Sequence, residues 1–165
     1  MAMDDGSQPM TPDAAGELLS GLIGAWQGTN KTWFEPGVLA DTSPIRGRFR
    51  RLPESRYVIY EYDSSVAGEA FHGAAIFGFN IFNGLFEMAW ADSAHQSTNM
   101  MFASGPAVEG GFAVLGSYHD PSGGPDWCWR TVVELRGQAL TITAYNINPN
   151  GQEAMAIESV LARSG

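Results

Sequence analysis

Three histidines (His72, His95, His119) and a scatter of carboxylates are the residues here whose types could do acid–base or metal chemistry. Asp92, Ser93 and His95 fall within four consecutive positions, so an acid, a hydroxyl and an imidazole share one turn. A hydrolytic triad needs its imidazole between nucleophile and acid, usually from distant segments, and this serine lacks a Gly-x-Ser-x-Gly elbow. Aspartate and serine at a strand end are ordinary turn formers, and the trio is read that way first. His95 and His119 stand near Asp92 and Asp120; two imidazoles with one or two carboxylates could hold zinc or non-haem iron. The close spacings usual in such sites are missing, so no metal is assigned. His72 alternates with Ala70, Ala74 and Ile76, which turns it inward among small residues, as a hydrogen-bonded core group or a catalyst. No catalytic set and no cofactor emerge from these patterns.

Large rings with polar tips form a second group: Tyr60, Tyr62, Trp90, Trp129 and Tyr145. Together with His72 they are the candidate lining of a ligand site, because aromatic walls suit planar or apolar molecules. Glu61, Glu134 and Glu158 lie on strands, with Arg130 on the same alternation face as Glu134; a solvated face explains them best.

These residues need a scaffold, and its class follows from composition. The 165 residues are 44% hydrophobic and 12% aromatic, enough for a real core in one domain over 12–165, behind a polar and flexible 1–11. Twenty glycines are about 12% of the chain, against a typical ~7%, and point to strands joined by many turns. Eighteen acids against nine bases give a net charge of −9, which disfavours nucleic acid and anionic membrane as partners. No run of 18 apolar residues occurs, and the Met1–Gly6 opening lacks the basic and apolar regions of a signal peptide, so a cytoplasmic location is expected. The single cysteine, Cys128, excludes an internal disulfide and a cysteine-built zinc site.

Thr11-Pro12 reads as a helix start, and Ala14, Leu18, Leu19 and Leu22 supply an apolar face, with Gly21 or Gly24 to end it. Beyond that, turn signals recur about every ten residues. Ten strands are predicted, near 25–34, 43–52, 56–64, 69–80, 84–92, 96–104, 111–119, 127–136, 138–146 and 152–163. Short connections favour an all-β, antiparallel up-and-down barrel of about ten strands, with the short N-terminal helix capping one end. Alternate turns of a meander lie at opposite ends. Loop parity therefore gathers Glu35, Asp92, His95 and His119 at the polar end, the candidate mouth, away from the helix-capped floor.

Gly24-Ala25-Trp26, following the helix and opening the first strand, resembles the Gly-x-Trp start of lipocalins and the wider calycin superfamily. The resemblance implies that Trp26 closes the barrel floor and that Arg163, on the last strand, stacks on it. A fuller series runs through Gly24-x-Trp26-x-Gly28, Trp33-Phe34-Glu35-Pro36-Gly37, Trp90-x-Asp92-Ser93, Gly116-Ser117-Tyr118, Trp129-Arg130-Thr131 and Ile142-Thr143-Ala144-Tyr145 to Arg163. This series resembles the bacterial family called domain of unknown function 1579 over about residues 16–163. It implies a calycin-like barrel and a bacterial source, with no catalytic residues to carry over. Nitrobindin-type barrels hold haem through a histidine toward the C-terminus, and residues 120–165 contain none.

Three functions compete. A carrier or sensor would bind one small, largely apolar molecule inside the barrel, and this is the favoured expectation. An enzyme would act on such a molecule with a mouth or cavity histidine or acid as general acid–base. An interaction module would have a solid barrel. Between Ala70 and Ala91 only Glu87 is charged, and both alternation sets are apolar. An outward apolar set containing phenylalanines such as Phe77 would make a homodimer through the outer face of residues 70–90.

Overall fold

The structure, a computed structural model, describes residues 9–95 and 98–165. It opens with a helix, α1 (Pro12–Leu22), whose N-cap Thr11 accepts the Ala14 amide hydrogen at 3.1 Å. The buried face is Ala15, Leu19 and Leu22, not the expected Ala14, which is exposed. Of the expected flexible terminus, residues 1–8 lie outside the described residues, whereas Met10 packs against the core.

The strands are β1 (Gly24–Glu35), β2 (Val38–Arg51), β3 (Val58–Val66), β4 (Glu69–Asn80), β5 (Leu85–Asp92), β6 (Met101–Gly105), β7 (Ala107–Val108), β8 (Gly111–Tyr118), β9 (Trp127–Arg136), β10 (Ala139–Ile147) and β11 (Glu153–Arg163). Every strand pairs antiparallel with the next in sequence except β6 with β7; β1 also pairs with β11, and β6 with β8, which closes the sheet into a barrel of ten main strands. The two-residue β7 is a short spur beside β8. Two expected boundaries change by more than two residues. β2 begins at Val38 instead of 43, because Pro36-Gly37, with Gly37 at φ 74°, makes a tight turn where a loop over 35–42 was expected. The strand expected at 96–104 begins at Met101, and Gln96 and Ser97 lie outside the described residues. No helix among the described residues is long and apolar enough to cross a membrane.

Alternation assigns the faces. On β4 the inward set is Phe71, Ala75 and Phe77, all buried, so His72 and Ile76 point outward. The inward placement of His72 is thereby corrected: both sets of this strand are apolar, and the bulkier one fills the barrel. His72 is mostly exposed and bonds Asp63 on the outer surface. The same parity removes the expected outward phenylalanine patch, since Phe71, Phe77, Phe86, Met88 and Trp90 are all buried. Outside, this region shows Ile76, Phe102 and Leu115.

The helix end is packed solid. Phe49, Phe77, Phe86 and Phe112 form a layer of rings, with Phe86 and Phe112 stacked at 4.5 Å and Phe77 edge-on to Phe112 at 5.6 Å. Trp26 is 1% exposed, and the Arg163 guanidinium lies over its ring at 4.4 Å. The pair also terminates the helix. Trp26 Nε1 donates to Leu22 O at 2.8 Å, and Arg163 donates to Gly21 O at 2.6 Å and Ile23 O at 2.9 Å. Carbonyls left over at a helix C-terminus are satisfied there, by a cation at the negative end of the dipole.

Candidate functional site

Above the phenylalanine layer the barrel is not filled. A cavity of about 70 Å³ is lined by Tyr60, Tyr62, Phe71, Trp90 and Trp129, with Asn30, Thr131 and Ser159 as polar members and Asp92 and His95 at its upper edge. Larger concavities, of about 720 and 480 Å³, lie on the outer surface of the sheet, over strands β2 to β5 and β4 to β8 respectively. The interior cavity is the candidate site, since burial of a ligand needs walls on all sides.

The walls are rings. Trp90 and Trp129 stack at 5.9 Å, and Tyr60 and Tyr62 at 4.9 Å, while Phe71 meets Tyr62 edge-on at 6.4 Å. Both tyrosines lie flat against the sheet, over glycines on neighbouring strands. A Cβ on Gly47 would sit 2.3 Å from Tyr60 Cε2, and one on Gly73 would sit 2.2 Å from Tyr62 Cζ. Glycine is required at these two places because the rings occupy the space of its missing side chain.

Polar groups at the mouth form one chain. Trp90 Nε1 donates to the Tyr62 hydroxyl at 2.6 Å, and Tyr62 donates to Asp92 Oδ2 at 3.3 Å. His95 Nδ1 lies 2.8 Å from the same carboxylate oxygen, while Asp92 Oδ1 accepts the amide hydrogens of Ala94, at 3.0 Å, and His95. The Asp92 side chain is 1% exposed and that of His95 is 23% exposed. A carboxylate on Nδ1 fixes the neutral ring with its proton there, which leaves Nε2 as an acceptor. The imidazole meets Phe71 at 5.9 Å, Trp90 at 5.9 Å and Trp129 at 6.1 Å, so it closes the aromatic box from above. Burial, then the charge of Asp92, pushes the Tyr62 hydroxyl well above the ordinary tyrosine range. Burial alone does the same to Tyr60.

The sequence-derived candidates separate into three groups. Tyr60, Tyr62, Trp90 and Trp129 line the cavity, and Asp92 and His95 stand at its mouth, buried deeper than rim residues. Glu35 and His119 lie at the same end by topology; His119 is almost fully exposed and bonds Asp126 at 2.8 Å. No cluster of three metal-ligating side chains forms among the described residues. His72 and Tyr145 are outside. Tyr145 faces Arg130 across β9 and β10, the guanidinium 4.4 Å from its ring, because Ile142 and Ala144 take the inward positions of that strand. Ser93 turns away from His95, its hydroxyl accepting the His72 amide hydrogen at 3.0 Å, so Asp92, Ser93 and His95 make no triad.

Asn30, Thr131, Ser159 and Phe71 were missed in the sequence. Asn30 shares the alternation face of Trp26, and Thr131 that of Trp129, so the parity used elsewhere would have found both. Ser159 is paired with Ile142 and reaches Asn30 Oδ1, to which it donates at 2.7 Å.

No curated protein matches this sequence. Among solved structures the chain is similar to one titled "Crystal Structure of Rv2717c from M. tuberculosis", with a TM-score of 0.64 and 12% identity over 92% of this chain and 98% of that one. At that identity the likeness concerns the fold alone. Residues 11–163 match the model of a family described as "Protein of unknown function (DUF1579)", and the chain belongs to that family.

Proposed function

We propose that the barrel binds one small, largely apolar molecule in the cavity beneath His95. The observation that supports this is a buried space walled by four stacked aromatic rings, beside a core that is otherwise close-packed. Protein interiors leave few voids larger than water, so space kept open at one end needs an occupant. At about 70 Å³ the cavity is well below the ~300–1,000 Å³ of drug-sized sites, so the ligand has few heavy atoms. Native mass spectrometry of freshly purified protein tests the proposal. A retained adduct of low mass is expected; a bare chain whose Trp90 and Trp129 indole resonances ignore every small apolar probe would overturn it.

The Asp92–His95 pair favours a second reading, a proton-transfer enzyme acting on such a molecule. An imidazole oriented through Nδ1 by a buried carboxylate presents a basic Nε2, the arrangement used by general bases. The ligand found by mass spectrometry, incubated in deuterated water, separates the two functions. Deuterium uptake lost in His95→Gln supports the enzyme, and an unchanged ligand supports the carrier.

A further inference from the structure

Building on the proposal that the cavity binds a ligand, we infer that this ligand is a neutral molecule with an apolar body and one acceptor oxygen of carbonyl type, which takes the hydrogen of the Tyr60 hydroxyl. Tyr60 lines the cavity and is 4% exposed, and its hydroxyl is the one fully buried side-chain polar atom without a partner among the described residues. Three of the neighbouring donors are already engaged. Ser159 donates to Asn30, Trp90 to Tyr62, and Tyr62 to Asp92. Buried donors in native structures nearly always find an acceptor, no described residue supplies one to this hydroxyl, and Tyr60 lines the cavity.

Charge narrows the class further. No lysine or arginine lines the cavity, and its one carboxylate, Asp92, stands at the mouth, so an anion would be buried beside a like charge without a counter-ion. A cation would suit the ring faces but has no acceptor for the hydrogen of the Tyr60 hydroxyl. Its ionisation is opposed by burial, so Tyr60 acts as a neutral donor throughout the physiological range. A ketone or aldehyde on a compact hydrocarbon meets both demands. Sites built to hydrogen-bond a ligand reject the analogue that lacks the group, since the buried donor is then left empty.

The test titrates cyclopentanone, cyclopentane and tetramethylammonium into the full chain, reading the Trp90 and Trp129 indole N–H signals by 15N NMR. Cyclopentanone is expected to bind about fivefold or more tightly than cyclopentane, the size of one net hydrogen bond. Tyr60→Phe keeps the ring on Phe49 and Gly47, and is expected to bind cyclopentanone and cyclopentane equally. Equal affinities in the unmodified protein, a ketone preference that survives Tyr60→Phe, or tighter binding of tetramethylammonium would each overturn the inference while leaving a binding cavity. If none of the three probes moves either indole signal, the cavity binds no ligand of this size, and the inference falls with the proposed function.

Discussion

Gly73→Ala isolates the role of the tyrosines lying against the cavity wall. The backbone at Gly73 is not in the left-handed region, so alanine brings no conformational strain of its own. Its Cβ would lie 2.2 Å from Tyr62 Cζ, 2.3 Å from Tyr62 Oη and 2.7 Å from Tyr62 Cε1, so the ring must leave its place. Two hydrogen bonds leave with it, from Trp90 at 2.6 Å and to Asp92 at 3.3 Å. Overpacking costs about 1–3 kcal/mol and each lost bond about 0.5–1.5 kcal/mol, which together come to roughly 2–6 kcal/mol. Urea denaturation followed by tryptophan fluorescence measures the loss, and the Trp90 indole proton reports the broken bond. Tyr62→Ala removes the obstructing ring, so Gly73→Ala should cost almost nothing further in that background. Gly16→Ala is the control: nothing lies within 4 Å of the added atom, and helix propensity should raise stability by about 0.5–1 kcal/mol. A Gly73→Ala protein within about 0.5 kcal/mol of the parent, with its Trp90 signal unmoved, would refute the packing account.

Trp26→Ala removes a fully buried ring from the helix end and should cost about 3–5 kcal/mol in the same denaturation assay. Phe77→Glu, on the inner face, should unfold the barrel; circular dichroism showing a folded protein would contradict its place in the phenylalanine layer. Tyr60 and Tyr62 have folded-state pKa values raised above their unfolded ones, so their contribution is fully present below about pH 10 and is lost as pH rises further. Titration of tyrosine absorbance at 295 nm should therefore show two groups that ionise only as the protein unfolds. Asp92→Ala removes the acceptor for two backbone amides and for His95, and should free the imidazole, seen as loss of its ring-current-shifted proton signals beside Trp90 and Trp129.

Strand positions were readable because turn residues punctuate them: β4 and β9 have the bounds the sequence predicts. Which face of a strand turns inward was readable only where one alternation set is clearly polar. Trp129 and Thr131 separate cleanly from Arg130, and Tyr60 and Tyr62 from Glu61. On β4 both sets are apolar, and only volume decides in favour of Phe71 and Phe77 over Ala74 and Ile76. Alternation without volume therefore puts His72 on the wrong side. Tyr145 needed its register with Arg130, a non-local fact that no single strand carries. The partnership of Asp92 with His95 was visible as spacing, whereas its burial was not, because the turn folds back over the barrel mouth. The orphan hydroxyl of Tyr60 was beyond reach of sequence, since it depends on what neighbouring strands leave unfilled.

The pairing of β1 with β11 also sets a schedule for the chain during its synthesis. Asn30 and Ser159, bonded across that seam, are 129 positions apart. At translation rates of about 5–20 residues per second, roughly 6–26 s separate the appearance of the two. For that interval β1 can pair with β2 on one edge, while its other edge and the ring of Trp26 wait for a partner not yet made. An unpaired edge beside an exposed tryptophan is a template for wrong pairing with other chains. Slowed synthesis late in the chain should therefore lengthen the exposure and raise aggregation, whereas the same delay before β1 emerges should be harmless.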